Sequence, residues 1–290
     1  MSVEYAGPPV KKEDIVAGLR ALGIEAGAGL MVHSSLKSFG YVEGGAAGVI
    51  EALQEGLTPE GTLLMPSFNH GRAFDPGEAG YYSPTETPTK NGRIPDTFWR
   101  MPGVWRSLNP THPFAAWGKH ARRYIEFHHR TLTMGPQSPL GLLCADDGFC
   151  LFIGVDYRCN TFHHVVEMCL GVPCLGRRTE AYPVLLPDGR RVMGRTWGWR
   201  ERSCPITDAN RYHDRMRPFQ RETIVGASRW IAYRLRDGFE VIARCLYEGK
   251  DGFPPCSHCP IRPRRVPETV PSDWDAERQC LRPESEAWGY

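Results

Sequence analysis

The arrangement of short apolar runs in the first half of the chain constrains the fold most strongly. Residues 29–33 and 62–65 each predict a short buried strand, and between them a glycine pair opens a helical pattern. Residues 149–153 repeat the unit, because this apolar run is again followed by a helical pattern from Thr161. Alternation of strands and helices is typical of an α/β fold, in which helices cover a central sheet.

The remaining segments add helices, a strand, a hairpin and a long loop to this frame. Residues 68–96 are rich in Gly, Pro, Thr and Asn, and so long a loop indicates a functional role. Residues 223–235 alternate apolar and polar side chains and predict one strand, after which Asp237 is expected to cap a helix. Similar patterns predict helices over 11–22, 118–128 and 138–146, and a hairpin over 181–200 that turns at Pro187-Asp188-Gly189.

The composition of the chain changes near residue 253. Six prolines between residues 253 and 271 favour an extended arm, so we expect a folded domain over 1–252 and a Pro-rich C-terminal arm over 253–290. The arm contains Cys256-Ser257-His258-Cys259, and a C-x-x-C spacing is half of a structural zinc site. Because a second such pair is lacking, packed or exposed thiols are the preferred interpretation, and zinc at Cys256 and Cys259 is the alternative.

Charge, hydropathy and cysteine usage narrow the class of protein. The chain has 290 residues, of which 41% are hydrophobic, and its formal net charge of +2 is too mild to suggest a nucleic-acid partner. There is no run of 18 apolar residues, so we expect no membrane partner. The N-terminus lacks a basic patch followed by an apolar stretch, so we expect no secretory leader. The ten cysteines are scattered, many within apolar runs, which is typical of reduced thiols in a cytoplasmic protein.

A histidine and a glutamate follow the third predicted strand at helical spacing. His164 and Glu167 are three residues apart, so they share a helix face just after the expected N-cap, Thr161. A carboxylate that accepts from one imidazole nitrogen leaves the other nitrogen free to act as a base. The alternative is an incidental pair, which a lone H-x-x-E spacing often is. His163 is expected to point to a different side and to be structural.

Polar residues also end the first predicted strand. His33, Ser34 and Ser35 lie at its carboxyl end, where ligands gather in open α/β sheets. With the helix that opens at Gly44 and Gly45, they offer hydroxyl and backbone N–H donors to phosphate. An ordinary turn at a strand end is the alternative interpretation.

Together these segments resemble the aminoglycoside 3-N-acetyltransferase family. The similarity extends from about residue 12 to residue 246, and the order and spacing of its blocks are more specific than any single block. The blocks are His33-Ser34-Ser35-Leu36, Gly44-Gly45-Ala46, Met65-Pro66-Ser67-Phe68, Gly92-Arg93-Ile94-Pro95-Asp96-Thr97-Phe98, Arg106-Ser107, Gly135-Pro136-Gln137-Ser138-Pro139, and Asn160-Thr161 with His164 and Glu167.

The resemblance implies a mixed central sheet flanked by helices, in an antibiotic N-acetyltransferase type of fold distinct from the GCN5-related one. It implies transfer of acetyl from acetyl-CoA to an amine, with no metal at the catalytic centre. His164 would take the amine proton and Glu167 would orient His164, while His33 would lie near the thioester carbonyl or the amine. Cofactor contacts would come from His33, Ser34, Ser35, Gly44, Gly45 and Ser107.

The chain departs from the family pattern where the acceptor is expected to bind. Asn109 stands where the family has histidine and Pro113 where it has serine, and His112 is expected to compensate in part. Aminoglycosides are polycations, so a site for them should be lined with carboxylates. The chain nevertheless has 35 Lys and Arg against 33 Asp and Glu. We therefore keep three acceptor hypotheses: an aminoglycoside, a non-antibiotic amine, or none in an inactive CoA-binding relative. The acidic residues that could line the site mouth are Asp75, Glu78, Glu86 and Asp156.

Overall fold

A computed structural model describes residues 7–170, 180–196 and 210–248, together with two short strands beyond them. The Pro-rich arm is therefore outside the described residues except for those strands, as are Cys256, Cys259 and the domain boundary at 252. The helices are α1 (Lys12–Ala21), α2 (Gly45–Leu57), α3 (Arg93–Phe98), α4 (Ala121–Ile125), α5 (Pro139–Ala145), α6 (Phe162–Cys169), α7 (Asn210–Met216) and α8 (Leu235–Glu248). The strands are β1 (Gly29–Ser34), β2 (Thr62–Pro66), β3 (Trp105–Arg106), β4 (Phe114–Gly118), β5 (Phe149–Ile153), β6 (Glu180–Leu185), β7 (Arg191–Thr196), β8 (Gln220–Val225), β9 (Ser228–Arg234), β10 (Trp274–Asp275) and β11 (Cys280–Leu281).

Seven strands form one mixed sheet in the order β3-β4-β2-β1-β5-β9-β8. Its centre is parallel, because β1 pairs with β2 on one side and β5 on the other, and antiparallel strands extend both edges. Parallel strands covered on both faces read as continuous apolar runs, which is why β1, β2 and β5 stood out in the sequence. The predicted mixed α/β fold is confirmed.

Helices cover both faces of the sheet, and alternate side chains of each strand reach opposite layers. In β1, Met31 packs with the layer of α4 to α8, whereas Leu30 and Val32 pack with the layer of α1 to α3. The two-residue period of a strand produces this division. It places α6, which carries the predicted catalytic pair, on the same face as α8, with Val165 and Val166 in the core.

The predicted single strand over 223–235 is wrong. The chain instead forms a hairpin of β8 and β9 that turns at Gly226 and Ala227. Gly226 has φ +60°, and a Cβ there would collide with Val10 and the Phe39 carbonyl, so the turn requires glycine. Alternating polarity continued through this turn and concealed it.

Smaller differences occur at element ends. The helix predicted over 118–128 is shorter, since β4 ends at Gly118 and α4 covers only 121–125. The long loop ends before Arg93, where α3 begins, rather than at residue 96. Helix α8 begins at Leu235, so Asp237 lies in its first turn rather than at its N-cap. Within the described segments, no helix has the length and apolarity needed to cross a membrane.

The hairpin of β6 and β7 forms a separate two-stranded sheet and turns after Leu186, as predicted. It is bound to the long loop through Tyr82, whose backbone N–H donates to Pro183 and whose carbonyl accepts from Leu185. Tyr82 and Val184 lie in a small apolar cluster between loop and hairpin. The long loop and the hairpin are therefore one structural unit.

Candidate active site

The predicted site residues of β1 and α6 lie at the carboxyl edge of the parallel strands. His33 stands near the end of β1, in register with Phe152 of β5, and α6 begins shortly after β5 ends. This edge is where ligands bind in open α/β sheets. The fold thus brings together residues that are 128 positions apart in the chain, as the 3.4 Å contact between Thr161 Oγ1 and His33 Nε2 demonstrates.

The His164 and Glu167 side chains form the pair predicted from their spacing. His164 Nδ1 lies 2.9 Å from Glu167 Oε2, and the glutamate side chain is 1% exposed whereas the histidine side chain is 39% exposed. An ionised carboxylate only accepts hydrogen bonds, so Nδ1 carries the proton and Nε2 keeps its lone pair. A buried, fixed carboxylate thus orients a partly open imidazole.

His33 has a different environment from His164. Its ring is buried and stacks on Phe152 with 5.5 Å between ring centroids. Burial lowers the pKa of His33 to about 3 because the imidazolium would lose its hydration. A neutral imidazole this weakly basic is suited to hydrogen bonding with Thr161 rather than to removing a proton.

Thr161 occupies the N-cap position of α6, as expected, but its side chain makes no capping bond. Asn160 caps the helix instead, because its Oδ1 accepts from the Phe162 N–H at 3.1 Å. The same oxygen accepts from the Tyr233 hydroxyl at 3.1 Å. The Thr161 hydroxyl is thereby left facing His33. The start of α6 is fixed by the core, which holds His164 in place relative to β1.

The predicted cofactor residues near β1 form a turn followed by a glycine-opened helix. Ser34 is partly exposed as a residue, but its hydroxyl oxygen is buried and has no hydrogen-bond partner among the described residues. The Ser35 N–H donates to Ile153 at 2.9 Å, which ties the turn to β5. Gly44 and Gly45 open α2 with φ values of +71° and +57°, a left-handed backbone that favours glycine.

Ser107 has a position that the sequence did not reveal. It is fully buried, and its hydroxyl lies 2.9 Å from both His128 Nδ1 and the Phe114 N–H. The Thr133 carbonyl, 2.8 Å from His128 Nε2, can only accept, so Nε2 carries the proton and Ser107 donates to Nδ1. The Ser107 hydroxyl is enclosed and bonds to His128, and its predicted cofactor contact stays a prediction.

His112, named above for its place in the sequence, belongs to an imidazole and aromatic cluster beside the site that the sequence did not reveal. His112 packs against His70 and Phe68, with ring centroids 5.1 and 5.0 Å away. Burial lowers the pKa of His112 well below its usual value, and nearby His70 and His164 lower it further. That electrostatic influence places His112 near the predicted catalytic pair. His70 has φ +55°, a left-handed conformation that is strained for histidine.

Asn109 and Pro113, the two departures from the family pattern, frame His112. Asn109 is buried, and its Oδ1 accepts from the His112 N–H at 2.9 Å and the Thr111 N–H at 3.3 Å. The Pro113 carbonyl accepts from the Ser67 N–H at 2.9 Å. Asn109 thus shapes the turn that presents His112, a role that no single-sequence signal could identify.

The residues considered for an acidic mouth are not equally available. Asp75 and Glu78 are exposed, and Glu86 accepts weakly from the Tyr81 hydroxyl at 3.4 Å. Asp156 is different, because the Arg158 guanidinium binds both of its oxygens at 2.8–3.0 Å and holds the carboxyl pKa below its usual value. A cationic ligand would have to compete with this arginine.

His163 is closer to the predicted catalytic pair than its helical position suggested. Its ring centroid lies 3.9 Å from that of His164, although the two residues are consecutive on α6. The interpretation that His163 points to a different side is therefore wrong. One nitrogen or oxygen from each of His163, His164 and Glu167 lies within 4.8 Å of the others.

Comparison with known proteins identifies the family of this chain. The family model described as aminoglycoside 3-N-acetyltransferase matches residues 31–246. The SPbeta prophage-derived aminoglycoside N(3')-acetyltransferase-like protein YokD of Bacillus subtilis is 35% identical over 209 residues, covering 66% of this chain and 75% of its own. Aminoglycoside N(3)-acetyltransferase IV of Salmonella sp is 39% identical over 184 residues, covering 63% and 67%.

Solved structures agree with the sequence comparisons. The crystal structure of YokD aligns with a TM-score of 0.72 at 27% identity, over 86% of this chain and 98% of that one. A mutant of aminoglycoside acetyltransferase AAC(3)-IVa in complex with a gentamicin aligns with a TM-score of 0.70 at 29% identity, over 88% and 96%. The resemblance seen in the sequence blocks is confirmed, and the chain belongs to the aminoglycoside 3-N-acetyltransferase family.

Proposed function

We propose that this chain transfers the acetyl group of acetyl-CoA to an amine of an aminoglycoside, the 3-amino group of its 2-deoxystreptamine ring, or of a related amino compound. The observation that carries the proposal is the 2.9 Å contact between His164 Nδ1 and the buried carboxylate of Glu167. Membership of the family and the fold support the same chemistry. The related amino compound is kept as the alternative acceptor because Asn109 and Pro113 alter the loop expected beside the amine.

In the proposed reaction, the amine nitrogen attacks the thioester carbonyl carbon of acetyl-CoA. A new C–N bond forms, and the C–S bond breaks when the tetrahedral intermediate collapses. An ammonium has no lone pair, so the attacking amine must lose a proton, which His164 Nε2 accepts. Glu167 stabilises the resulting imidazolium through the Nδ1 hydrogen bond, and His164 then returns the proton to the leaving thiolate.

His33 and Thr161 are proposed to act near the thioester carbonyl. The Thr161 hydroxyl, 3.4 Å from His33 Nε2, is a donor placed at the start of α6. A donor fixed in advance near a developing oxyanion lowers the barrier more than one that must reorient. His33, neutral because its pKa lies near 3, supports this hydroxyl without adding a charge.

The pantetheine and phosphates of acetyl-CoA are proposed to bind along Ser34, Ser35 and the start of α2 at Gly44 and Gly45. The Ser34 hydroxyl supports this placement, since a buried hydroxyl without a partner is rare and a bound cofactor would supply one. We also propose a cytoplasmic location. The cysteines in the described part of the chain are free thiols, which suits a reducing compartment.

Free-thiol release from acetyl-CoA, followed with a panel of aminoglycosides and simple amines, tests the proposal. The assay should contain a chelator so that trace metal has no influence. We expect thiol release that depends on the amine, with an acetylated product identified by mass. If acetyl-CoA raises the melting temperature but no amine in the panel releases thiol, the inactive CoA-binding alternative is the correct one.

A further inference from the structure

Three potential metal ligands lie together on the first two turns of α6. His163 and His164 are adjacent in sequence with ring centroids 3.9 Å apart, and Glu167 follows one turn later. One ligand atom from each residue lies within 4.8 Å of the other two. In the part of the chain that the structure describes, no other group of three or more His, Cys, Asp or Glu side chains reaches this proximity.

The distances within this group are close to those that a metal ion requires. Zinc binds imidazole nitrogen and carboxylate oxygen at about 2.0–2.2 Å, so two tetrahedral ligands are about 3.3 Å apart. His164 Nδ1 and Glu167 Oε2 already come near this spacing at 2.9 Å. The ligand atom of His163 lies within 4.8 Å of both, so it would have to move closer to share one metal centre with them.

The chemistry of the donors selects a class of metal. Two imidazoles and one carboxylate suit Zn²⁺, Cu²⁺ or Ni²⁺, whereas Mg²⁺ and Ca²⁺ prefer oxygen ligands. Glu167 would contribute a buried, fixed oxygen and His164 a ring that remains 39% exposed. The exposed ring gives an incoming ion a path, and solvent could supply a fourth ligand.

We propose that His163, His164 and Glu167 form an inhibitory site for a divalent transition-metal ion, with Zn²⁺ the preferred occupant. Metal capture withdraws the His164 imidazole and the Glu167 carboxylate from their hydrogen bond. When the metal takes the Nδ1 lone pair, the single proton of the neutral imidazole sits on Nε2. That nitrogen then has no lone pair to accept the amine proton, and acetyl transfer stops. Binding of the metal stands on its own, whereas inhibition rests on the proposed function.

His163 makes the proposal testable without damaging the His164 and Glu167 pair. It is the only one of the three ligands to which we assign no role in acetyl transfer, so His163→Ala should leave turnover in a chelated buffer within a few-fold of the parent. His163→Cys replaces one zinc ligand with another. His120→Ala, at a partly exposed histidine before α4, is the matched control.

The experiment measures Zn²⁺ binding by calorimetry and thiol release across a zinc titration, on the full chain. Each variant is made in the parent and in a Cys256→Ser, Cys259→Ser background, which removes the other candidate ligands. We expect one Zn²⁺ per chain in that background and a zinc affinity at least about 100-fold lower in His163→Ala. A fall of that size exceeds the usual effect of losing a residue that only hydrogen-bonds to a metal ligand. His163→Cys and His120→Ala should retain binding.

Each outcome of this experiment bears on a separate claim. Equal zinc affinity in His163→Ala and the parent, or no binding at millimolar zinc, would overturn the metal site. Zinc binding that leaves thiol release unchanged would overturn its inhibitory role. Absence of thiol release in chelated buffer with every amine would refute the proposed function, yet it would leave the binding result standing.

Discussion

Two histidines of this protein, His164 and His128, have opposite hydrogen-bonding arrangements. His164 uses Nδ1 on the buried carboxylate of Glu167, and its ring is partly exposed. His128 uses both nitrogens, bonding to Ser107 and to the Thr133 carbonyl, and it has no exposed surface. The proposed base uses one nitrogen on a carboxylate and leaves the other for the proposed substrate, whereas His128 bonds to the protein through both nitrogens.

The difference shows how a histidine suited to catalysis can be distinguished from buried histidines that only stabilise the fold. A catalytic base needs a nitrogen without a protein partner and a pKa near neutrality. Burial lowers the pKa of His128 to about 4, so it is neutral and inert at physiological pH. Mutations at the two positions should therefore change different measurements.

The largest expected effect is on turnover in His164→Ala. Removing the proposed base should lower turnover at least about 100-fold, in the range usual for loss of general-base catalysis. Because the ring is 39% exposed, the melting temperature should fall less than in His128→Ala, although the buried Glu167 carboxylate loses one partner. Steady-state thiol release with a competent amine measures the first effect and thermal unfolding the second, with His120→Ala as control. Near-parental turnover would mean that the base is another residue.

His128→Ala should show the reverse pattern. It leaves the Ser107 hydroxyl and the Thr133 carbonyl buried without the imidazole that they bond, and each such group costs about 1–3 kcal/mol. We expect the free energy of unfolding in urea to fall by about 2–3 kcal/mol, with His128→Gln losing less because an amide restores some of the hydrogen bonding. Unchanged stability in the alanine variant would contradict the arrangement described for this residue.

Acid should destabilise the fold through the same histidine. The folded pKa of His128, about 4, lies below its unfolded value of about 6.5. The unfolded chain therefore binds more protons between these values, and stability falls as pH drops through 6.5 towards 4. From pH 7 to pH 5 the loss for one such group is about 2 kcal/mol. Urea unfolding at both pH values should give a smaller difference for His128→Gln than for the parent.

Glu167→Gln should weaken the His164 base without abolishing it. The amide oxygen still accepts from His164 Nδ1, but the charge that stabilises the imidazolium is lost. Charge-assisted hydrogen bonds are roughly twice as strong as neutral ones, so we expect turnover to fall about 10-fold. Steady-state thiol release, compared with His164→Ala in the same buffer, measures this fall. A loss as large as that of His164→Ala would assign the carboxylate a direct role.

The smallest effect concerns the acceptor. Arg158 pairs with Asp156 near the start of α6, and both side chains are substantially exposed at 76% and 42%. Exposed pairs contribute up to about 1 kcal/mol, so Arg158→Ala should tighten aminoglycoside binding about 3- to 5-fold by releasing the carboxylate. Calorimetry at low and high salt measures this, and the gain should shrink with salt. Arg190→Ala, which breaks the pair with Asp188 in the hairpin turn, is the control.

The sequence predicted those parts of the fold and site that depend on local periodicity. His164 and Glu167 share a helix face at any i, i+3 spacing, and the apolar runs of the parallel strands have no plausible exposed alternative. The single strand expected over 223–235 failed because alternating polarity is the same on both sides of a tight turn. Only the backbone conformation of Gly226 distinguishes the two.

Contacts between distant segments were beyond sequence reasoning for a different reason. Whether the Ser107 hydroxyl faces a cofactor or His128 depends on how residues 107 and 128 pack across the sheet edge. Likewise, His112 reaches the site because the Asn109 side chain shapes its turn, and His163 contacts His164 through side-chain rotamers. None of these follows from residue type or spacing.

The attachment of the long loop to the β6–β7 hairpin has a consequence for redesign. Tyr82 bonds to the hairpin backbone, and Thr196 at its end bonds to Thr111 and Thr133, which lie close to His112 and His128. His164, in contrast, is carried by α6, which follows β5. An exchange of this unit for that of a relative would therefore have to take the long loop and the hairpin together, with the segment from β5 to α6 left unchanged. Exchanging either piece alone would leave the backbone hydrogen bonds of Tyr82 without their acceptor and donor.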